Sequence, residues 1–558
     1  MDLIKKYVLQ NAIKFGKASQ GAVIGKIIAE QPELKPRLKD MAKDVAKEIK
    51  EVSKLSIEEQ INLLKELAPE LLEEKKQEKK ERILPELKGA KKVVMRFEPS
   101  PSGPLHIGHA YVISLNSEYC KKYKGKMILR VSDTNPENIC DPAYDLIKKD
   151  ADWVTKNNIS EFYIQSERLD IYYRYMERLI DLGKAYVCVC DPDQYKKLLH
   201  DSIPCPCREL QVKEQKERWK KMFDAYKQGE AVVRIKTDIT HKNPAMRDFP
   251  VFRINETEHP RQKKRYRVWP LMNLAVSVDD IEMGITHAIR AKDHYDNAER
   301  QKYIFSYLNK KFPETLFVGR INFEGMPVSC SKTRPLIEDG TYSGWDDVRL
   351  PFLAALRRRG YQPEAFIKYA IDVGISLSDK TVTKEEFFKT INAFNKEVID
   401  PISHRYFFIW DPVEITIEGA PSQDIELDLH PDSKKGGRKF DTKTDFYITR
   451  SDLETFREGK LYRLMDCLNL TKKGSKLVFH SLDYNEFKEK GAQIIHWLPK
   501  DTSLLKTEVL MPDNTVKEGL GEQSLSHLKE GDICQLERLG FCRLDKKGKH
   551  LRFLFLHK

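Results

Sequence analysis

The chain of 558 residues is too long for a single core, and usual domain sizes predict three or four domains. Its 97 basic and 85 acidic residues leave a net charge of +12, which suits a polyanionic partner, while 40% hydrophobic residues exclude global disorder. MDLIKKYVLQNAIKFG lacks the apolar run of a secretion signal, and no stretch reaches the roughly 18–20 apolar residues that cross a bilayer; an intracellular, cytoplasmic protein without a membrane partner is expected.

Residues 1–90 read as a helical extension. LSIEEQINLLKELAPELLEE carries apolar residues at helical spacing behind the cap candidate Ser56, and the charged run EEKKQEKKER reads as a solvated helix end or linker. At Lys91 the texture changes. KKVVMRF predicts a strand, EPSPSGP a turn-rich loop, HIGHAYVISLNSEYCKKY a helix and GKMILRV a second strand, which is the grammar of a parallel α/β sheet. Residues 91–184 and 268–325 are expected to form two halves of a Rossmann-like nucleotide-binding fold, with an insertion over 185–267. Residues 326–399 read as a loop followed by helices. Alternating runs in 400–558, such as FFIWDPVEITI and CRLDKKGKHLRFLFL, predict antiparallel β-barrels.

The strongest chemical signal lies at His106-Ile107-Gly108-His109, where a Pro- and Gly-rich loop opens a helix. Free N–H groups and the positive dipole end favour phosphate there. Two imidazoles one turn apart offer hydrogen bonds to the same phosphate oxygens, and Gly108 leaves room for a purine against the backbone. Within the insertion, Cys188, Cys190, Cys205 and Cys207 supply two Cys-x-Cys pairs, a set suited to structural tetrahedral zinc with no open coordination position. Arg261, Lys263, Lys264, Arg265 and Arg267, interleaved with Tyr266 and Trp269, make the densest basic cluster and suit RNA phosphates and bases. Arg357, Arg358 and Arg359, and the run Lys434–Lys439, are further candidates.

RFEPSPSGPLHIGHA resembles the first signature of class I aminoacyl-tRNA synthetases in their glutamyl/glutaminyl form. VSCSKTRP is similar to the second signature, a mobile lysine loop, with Ser331 and Lys332 in its usual positions and Ser329 and Cys330 where lysine and methionine are common. SGWDDVRLPFLAALRRRGYQPEAF and NKEVIDPISHRYFFIWDPVEITI resemble the archaeal glutamyl and eukaryotic-type glutaminyl branch rather than the bacterial glutamyl one, and the likeness runs from about residue 92 to the C-terminus. It implies a multidomain enzyme: an α/β Rossmann-like catalytic domain with a zinc-containing, acceptor-end-binding insertion, an α-helical stem-contact region, and C-terminal anticodon-binding barrels. The activity implied is two-step ligation of L-glutamate to tRNA(Glu), and possible charging of tRNA(Gln), by a monomer using ATP with Mg2+.

The resemblance assigns His106, Gly108, His109, Ser331 and Lys332 to ATP, with the two histidines and Lys332 catalytic. Arg96, Glu98, Ser100, Asp133, Met272 and Arg290 are assigned to the amino acid. Arg290 favours glutamate, since an Arg fork facing a neutral amide lacks its counter-charge; a structural ion pair with Asp293 or Asp280 is the other reading. Ser132 stands where relatives often hold the substrate ammonium with a carboxylate, leaving either Asp133 or Glu98 for that contact. A glutaminyl enzyme and a non-catalytic RNA-binding relative are the alternatives.

Overall fold

The computed structural model describes residues 2–16, 18–71, 82–500 and 503–558. Two compact units divide at Glu81/Arg82. The first is helical. Its helix Ile57–Leu67 starts at the expected cap: the Ser56 side chain accepts from the Glu59 N–H and the Glu59 carboxylate accepts from the Ser56 N–H. Except for Arg82, the run EEKKQEKKER lies outside the described residues.

The second unit is built on a parallel sheet. Strand β1 (Val94–Phe97) pairs with β2 (Lys126–Val131), and β2 with β3 (Glu161–Ile164). The next four strands belong to the insertion: β4 (Ala185–Cys188), β5 (Val232–Ile235), β6 (Pro250–Ile254) and β7 (Val268–Pro270) form an antiparallel sheet in that order. The insertion's sheet therefore runs three residues past the expected boundary at 267. The parallel sheet resumes with β8 (His287–Ala291) and β9 (Glu314–Val318). Thr286, just before β8, donates its N–H to the Val94 carbonyl at 3.0 Å and accepts the Val94 N–H at 2.8 Å, setting the spatial order β3-β2-β1-β8-β9. Apolar β2 is covered by helices, as a buried parallel strand must be. Leu84 and Leu87, expected in the N-terminal extension, pack into this core.

The C-terminal region holds two seven-stranded sheets. Their strands are not all antiparallel, as the alternating pattern suggested. His404–Tyr406 with Ile533–Leu536, Pro412–Glu418 with Lys476–Ser481, Leu461–Leu464 with Gly491–Ile495, and Leu505–Leu510 with Leu551–His557 all pair parallel. Alternation reports which face is buried, and carries no information on the direction of a neighbouring strand. Among the described residues, no helix is long and apolar enough to cross a membrane.

Candidate active site

Strand β1 delivers the chain into the loop Glu98–Leu105, and His106 caps the helix Ile107–Lys122. The cap fixes both imidazoles. Nδ1 of His106 accepts the Gly108 N–H at 3.1 Å, and Nδ1 of His109 accepts the His106 N–H at 3.3 Å. A neutral imidazole that accepts at Nδ1 carries its proton at Nε2, so each ring keeps one N–H that the cap does not use. Burial holds His106 well below its ordinary pKa, helped by neighbouring His109, and burial brings His109 down to about 4. The rings stack with centroids 3.7 Å apart, close for two cations and acceptable for two neutral rings. A Cβ at Gly108 would lie 3.0 Å from the His106 ring. The missing side chain thus makes room for the His106 ring.

The lysine segment docks on the same loop. Cys330 begins the helix Cys330–Glu338 and is buried against Leu350, Phe352 and Ala355. Its Sγ would be 2.7 Å from a Cβ at Gly103, so glycine there and a small thiol here are matched in size. Arg334 donates to the Ser102 carbonyl at 2.6 Å. Ser331 and Lys332 are exposed on the first turn of this helix.

Beside His109 lies a cavity of about 330 Å³ lined by Arg96, Glu98, Ser132, Met272, Arg290 and Gln301, among others. Beneath it is a buried charge network. Arg130, wholly buried, donates to Glu98 Oε2 and Asp280 Oδ1 at 2.7 Å each, and Arg96 Nε donates to Asp280 Oδ1 at 3.2 Å. The guanidiniums of Arg96, Arg130 and Arg290 hold Asp280 below the usual carboxylate range even though its own burial, the largest influence, pushes the other way. Arg290 is less well served. Its Nη1 donates to Gln301 Oε1 at 2.6 Å, its Nη2 lies 3.5 Å from the already shared Asp280, and its Nε has no partner among the described residues. Burial, then the neighbouring Arg96, lower its pKa to about 10. A guanidinium left short of negative charge at a cavity wall is a receptor for a carboxylate.

Two of the six expected amino-acid contacts lie elsewhere. Asp133 is buried and turned away: it accepts from the Ser166 N–H, the Ser166 hydroxyl and the Tyr144 hydroxyl, all at 2.7 Å, so it is committed to the fold. Ser100 is exposed and is not among the cavity's lining residues. Of the two ammonium candidates, Glu98 faces the cavity. Sequence reasoning missed Arg130 and Gln301. A charge inside the otherwise apolar strand GKMILRV was a usable signal for Arg130; nothing in YDNAERQKYIFSY singled out Gln301.

In the insertion, the Sγ atoms of Cys188, Cys190, Cys205 and Cys207 all lie within 4.8 Å of one another, with contacts of 3.2, 3.6 and 3.8 Å. Tetrahedral zinc, with bonds of about 2.3 Å, separates its sulfurs by about 3.8 Å, so the donor set fits that ion. Arg218 donates to Cys207 Sγ at 3.1 Å and favours its thiolate.

The basic residues divide sharply. Lys263, Lys264 and Arg265 are exposed on a tight turn that His259 holds: its Nδ1 accepts the Arg261 and Gln262 N–H groups at 3.1 Å each, and its Nε2–H donates to the Asp133 carbonyl at 3.0 Å. Arg261 stacks over Tyr144 with its guanidinium 3.7 Å from the ring centroid. Arg267 is tied to Glu256 and to the Met222 and Tyr226 carbonyls, and Trp269 is fully buried against His259. Neither is free to meet RNA. Arg359 is likewise buried, donating to the Phe555 and Leu556 carbonyls, and Arg358 pairs with Asp545 at 2.8 Å. Arg438, in the 434–439 run, is buried on Glu522; the side chains of Lys434 and Lys435 lie outside those described.

The family model described as tRNA synthetases class I (E and Q), catalytic domain, matches residues 92–401. Two models of the anti-codon binding domain of the same class match 403–479 and 494–545. A protein named glutamate–tRNA ligase from Methanothermobacter marburgensis is 42% identical, covering 100% of this chain and 99% of its own length. One of the same name from Methanocaldococcus jannaschii is 44% identical over 97% of this chain and 96% of its own. A third, from Thermococcus kodakarensis, is 42% identical over 100% and 99%.

Proposed function

The chain belongs to the class I (E and Q) tRNA synthetases, and on that premise we propose that it ligates L-glutamate to tRNA(Glu) at the expense of ATP. In the first step a glutamate α-carboxylate oxygen bonds to the α-phosphorus of ATP and pyrophosphate leaves. In the second, a ribose hydroxyl of the tRNA 3′-terminal adenosine takes the glutamyl group and AMP leaves. Positioning and charge stabilisation are the protein's share of this work. The Nε2–H donors of His106 and His109 meet the ATP phosphates, remaining neutral and correctly tautomerised through their cap bonds. Lys332 neutralises the departing pyrophosphate. Mg2+ arriving with ATP supplies further neutralisation of phosphate charge.

The observation that carries the choice of amino acid is the under-paired Arg290 guanidinium, which suits the γ-carboxylate of glutamate. Glutamine would leave that charge facing a neutral amide. Arg96 serves the substrate's other carboxylate and Glu98 its ammonium. Structural zinc on the four cysteines stiffens the insertion, whose exposed Lys263, Lys264 and Arg265 approach the acceptor end. Charging of tRNA(Glu) and tRNA(Gln) with labelled glutamate and glutamine tests the whole reading. Glutamate should be attached to tRNA(Glu), with tRNA(Gln) reporting how far the acceptor is discriminated; attachment of glutamine, or of neither, overturns it.

A further inference from the structure

Asp150 lies wholly buried on the helix Ala143–Thr155, outside the chemistry described so far. Its Oδ2 accepts the Leu105 N–H at 3.3 Å. Among the described residues its Oδ1 has no hydrogen-bond donor, and it faces Arg357, whose Nη2 is 3.4 Å away. Arg357 also donates from Nη1 to the Lys149 carbonyl at 3.2 Å. A buried carboxylate with one oxygen left without a hydrogen bond is costly to keep, and calls for a reason.

The reason lies in what Leu105 does. It immediately precedes His106, and its own carbonyl accepts the Leu353 N–H at 2.8 Å. Ile107 donates its N–H to the Pro351 carbonyl at 3.2 Å, and His106 bridges Phe352 in antiparallel fashion. The three residues that launch the imidazole helix are therefore gripped by segment 351–353 on one side and by Asp150 on the other. The helix Leu353–Arg359 that follows carries Arg357 back to Asp150, closing a ring of contacts.

We propose that Asp150 is a positioning residue of the nucleotide site: its carboxylate sets the Leu105–His106 backbone, and with it the imidazole pair, while Arg357 serves as its counter-ion rather than as an RNA contact. This rests on the reading that His106 and His109 meet the phosphates of ATP. Burial pushes the Asp150 carboxyl up to about 7, against Arg357, the Leu105 N–H and Lys149, all of which pull it down. Folding thus raises this pKa above the ordinary carboxylate value. The folded state holds the proton longer, so stability falls as pH climbs from about 4 to about 7 and the penalty is complete above that.

The test follows ATP–pyrophosphate exchange with glutamate and tRNA present, ATP binding by calorimetry, and thermal melting across pH. Asp150→Ala should raise the KM for ATP about tenfold and leave the KM for glutamate unchanged. Arg357→Ala, a change on a partly exposed side chain, removes an influence that lowers the Asp150 pKa, so it should raise the KM for ATP only at the alkaline end of the profile, where the acid ionises without its counter-ion, and little near pH 6, because the neutral acid still accepts from Leu105. Asp150→Asn keeps that acceptor, so the double variant should regain a near-native KM for ATP at all pH. Asp150→Asn alone should melt higher than the native protein above about pH 7 and equally near pH 4. The proposal falls if Arg357→Ala changes the tRNA KM and salt slope but not the KM for ATP, if Asp150→Asn gives no rescue, or if Asp150→Ala shifts every KM together. A native protein inactive with glutamate would instead break the substrate reading, while calorimetry would still report on Asp150.

Discussion

Arg290 and Arg438 are both buried arginines, and they end in opposite ways. In the C-terminal sheets, Arg438 donates from Nε to Glu522 Oε1 at 3.0 Å and from Nη2 to Oε2 at 2.6 Å, and lies over Phe407 with 4.4 Å to the ring centroid. Glu522 in turn accepts from the Phe407 N–H at 2.6 Å and the Ser524 hydroxyl at 2.7 Å. That site is saturated. Arg290 at the cavity beside His109 shares a carboxylate with two other arginines and keeps an Nε unpartnered among the described residues. A buried charge whose bonding is complete serves the architecture; one left incomplete at a cavity wall awaits a ligand.

Each half of the contrast can be broken. The largest effect is expected at the saturated site: Glu522→Gln leaves a buried guanidinium without its carboxylate and should cost about 3–5 kcal/mol in denaturant unfolding, with pyrophosphate exchange by the folded fraction unchanged. A loss of exchange without a loss of stability would move Arg438 into the functional set. Arg290→Ala should do the reverse, raising the KM for glutamate about a hundredfold while the KM for ATP stays within about twofold and the melting temperature barely falls. Equal changes in both constants would make Arg290 architectural after all. A smaller effect is expected in the insertion. Purified protein should hold one zinc by elemental analysis, and its removal by a chelator should raise the KM for tRNA several-fold while ATP binding is unaltered. Full activity without metal would reduce the four cysteines to packed thiols.

Motifs written in contiguous residues were legible at the outset. The two Cys-x-Cys pairs and the helix start at His106 to His109 could be read from spacing, because a short knuckle or a helix start is a local structure; the roles of the histidines and of Ser331 with Lys332 rest on the resemblance of their flanking residues to the two signatures. Asp133 and Glu98 could not be separated by pattern, since whether a carboxylate faces a cavity or Ser166 and Tyr144 depends on residues packed around it. The same holds for the basic cluster, where neighbours in sequence such as Arg265 and Arg267 divide between solvent and the Tyr226 carbonyl.

By itself, then, the sequence determined the order of strands and helices in the catalytic half, the loop that opens the histidine helix and the cluster of four cysteines, all of which depend on short-range geometry. Only the tertiary structure decided which charges are spent. Arg359 and Arg438 are consumed by partners 197 and 84 residues away, and Arg130, although its Nε lacks a partner too, holds two carboxylates at 2.7 Å, whereas Arg290 has only a shared one at 3.5 Å. A charge reads the same in any sequence, but its availability is the difference between the donors it carries and the acceptors that folding brings within reach.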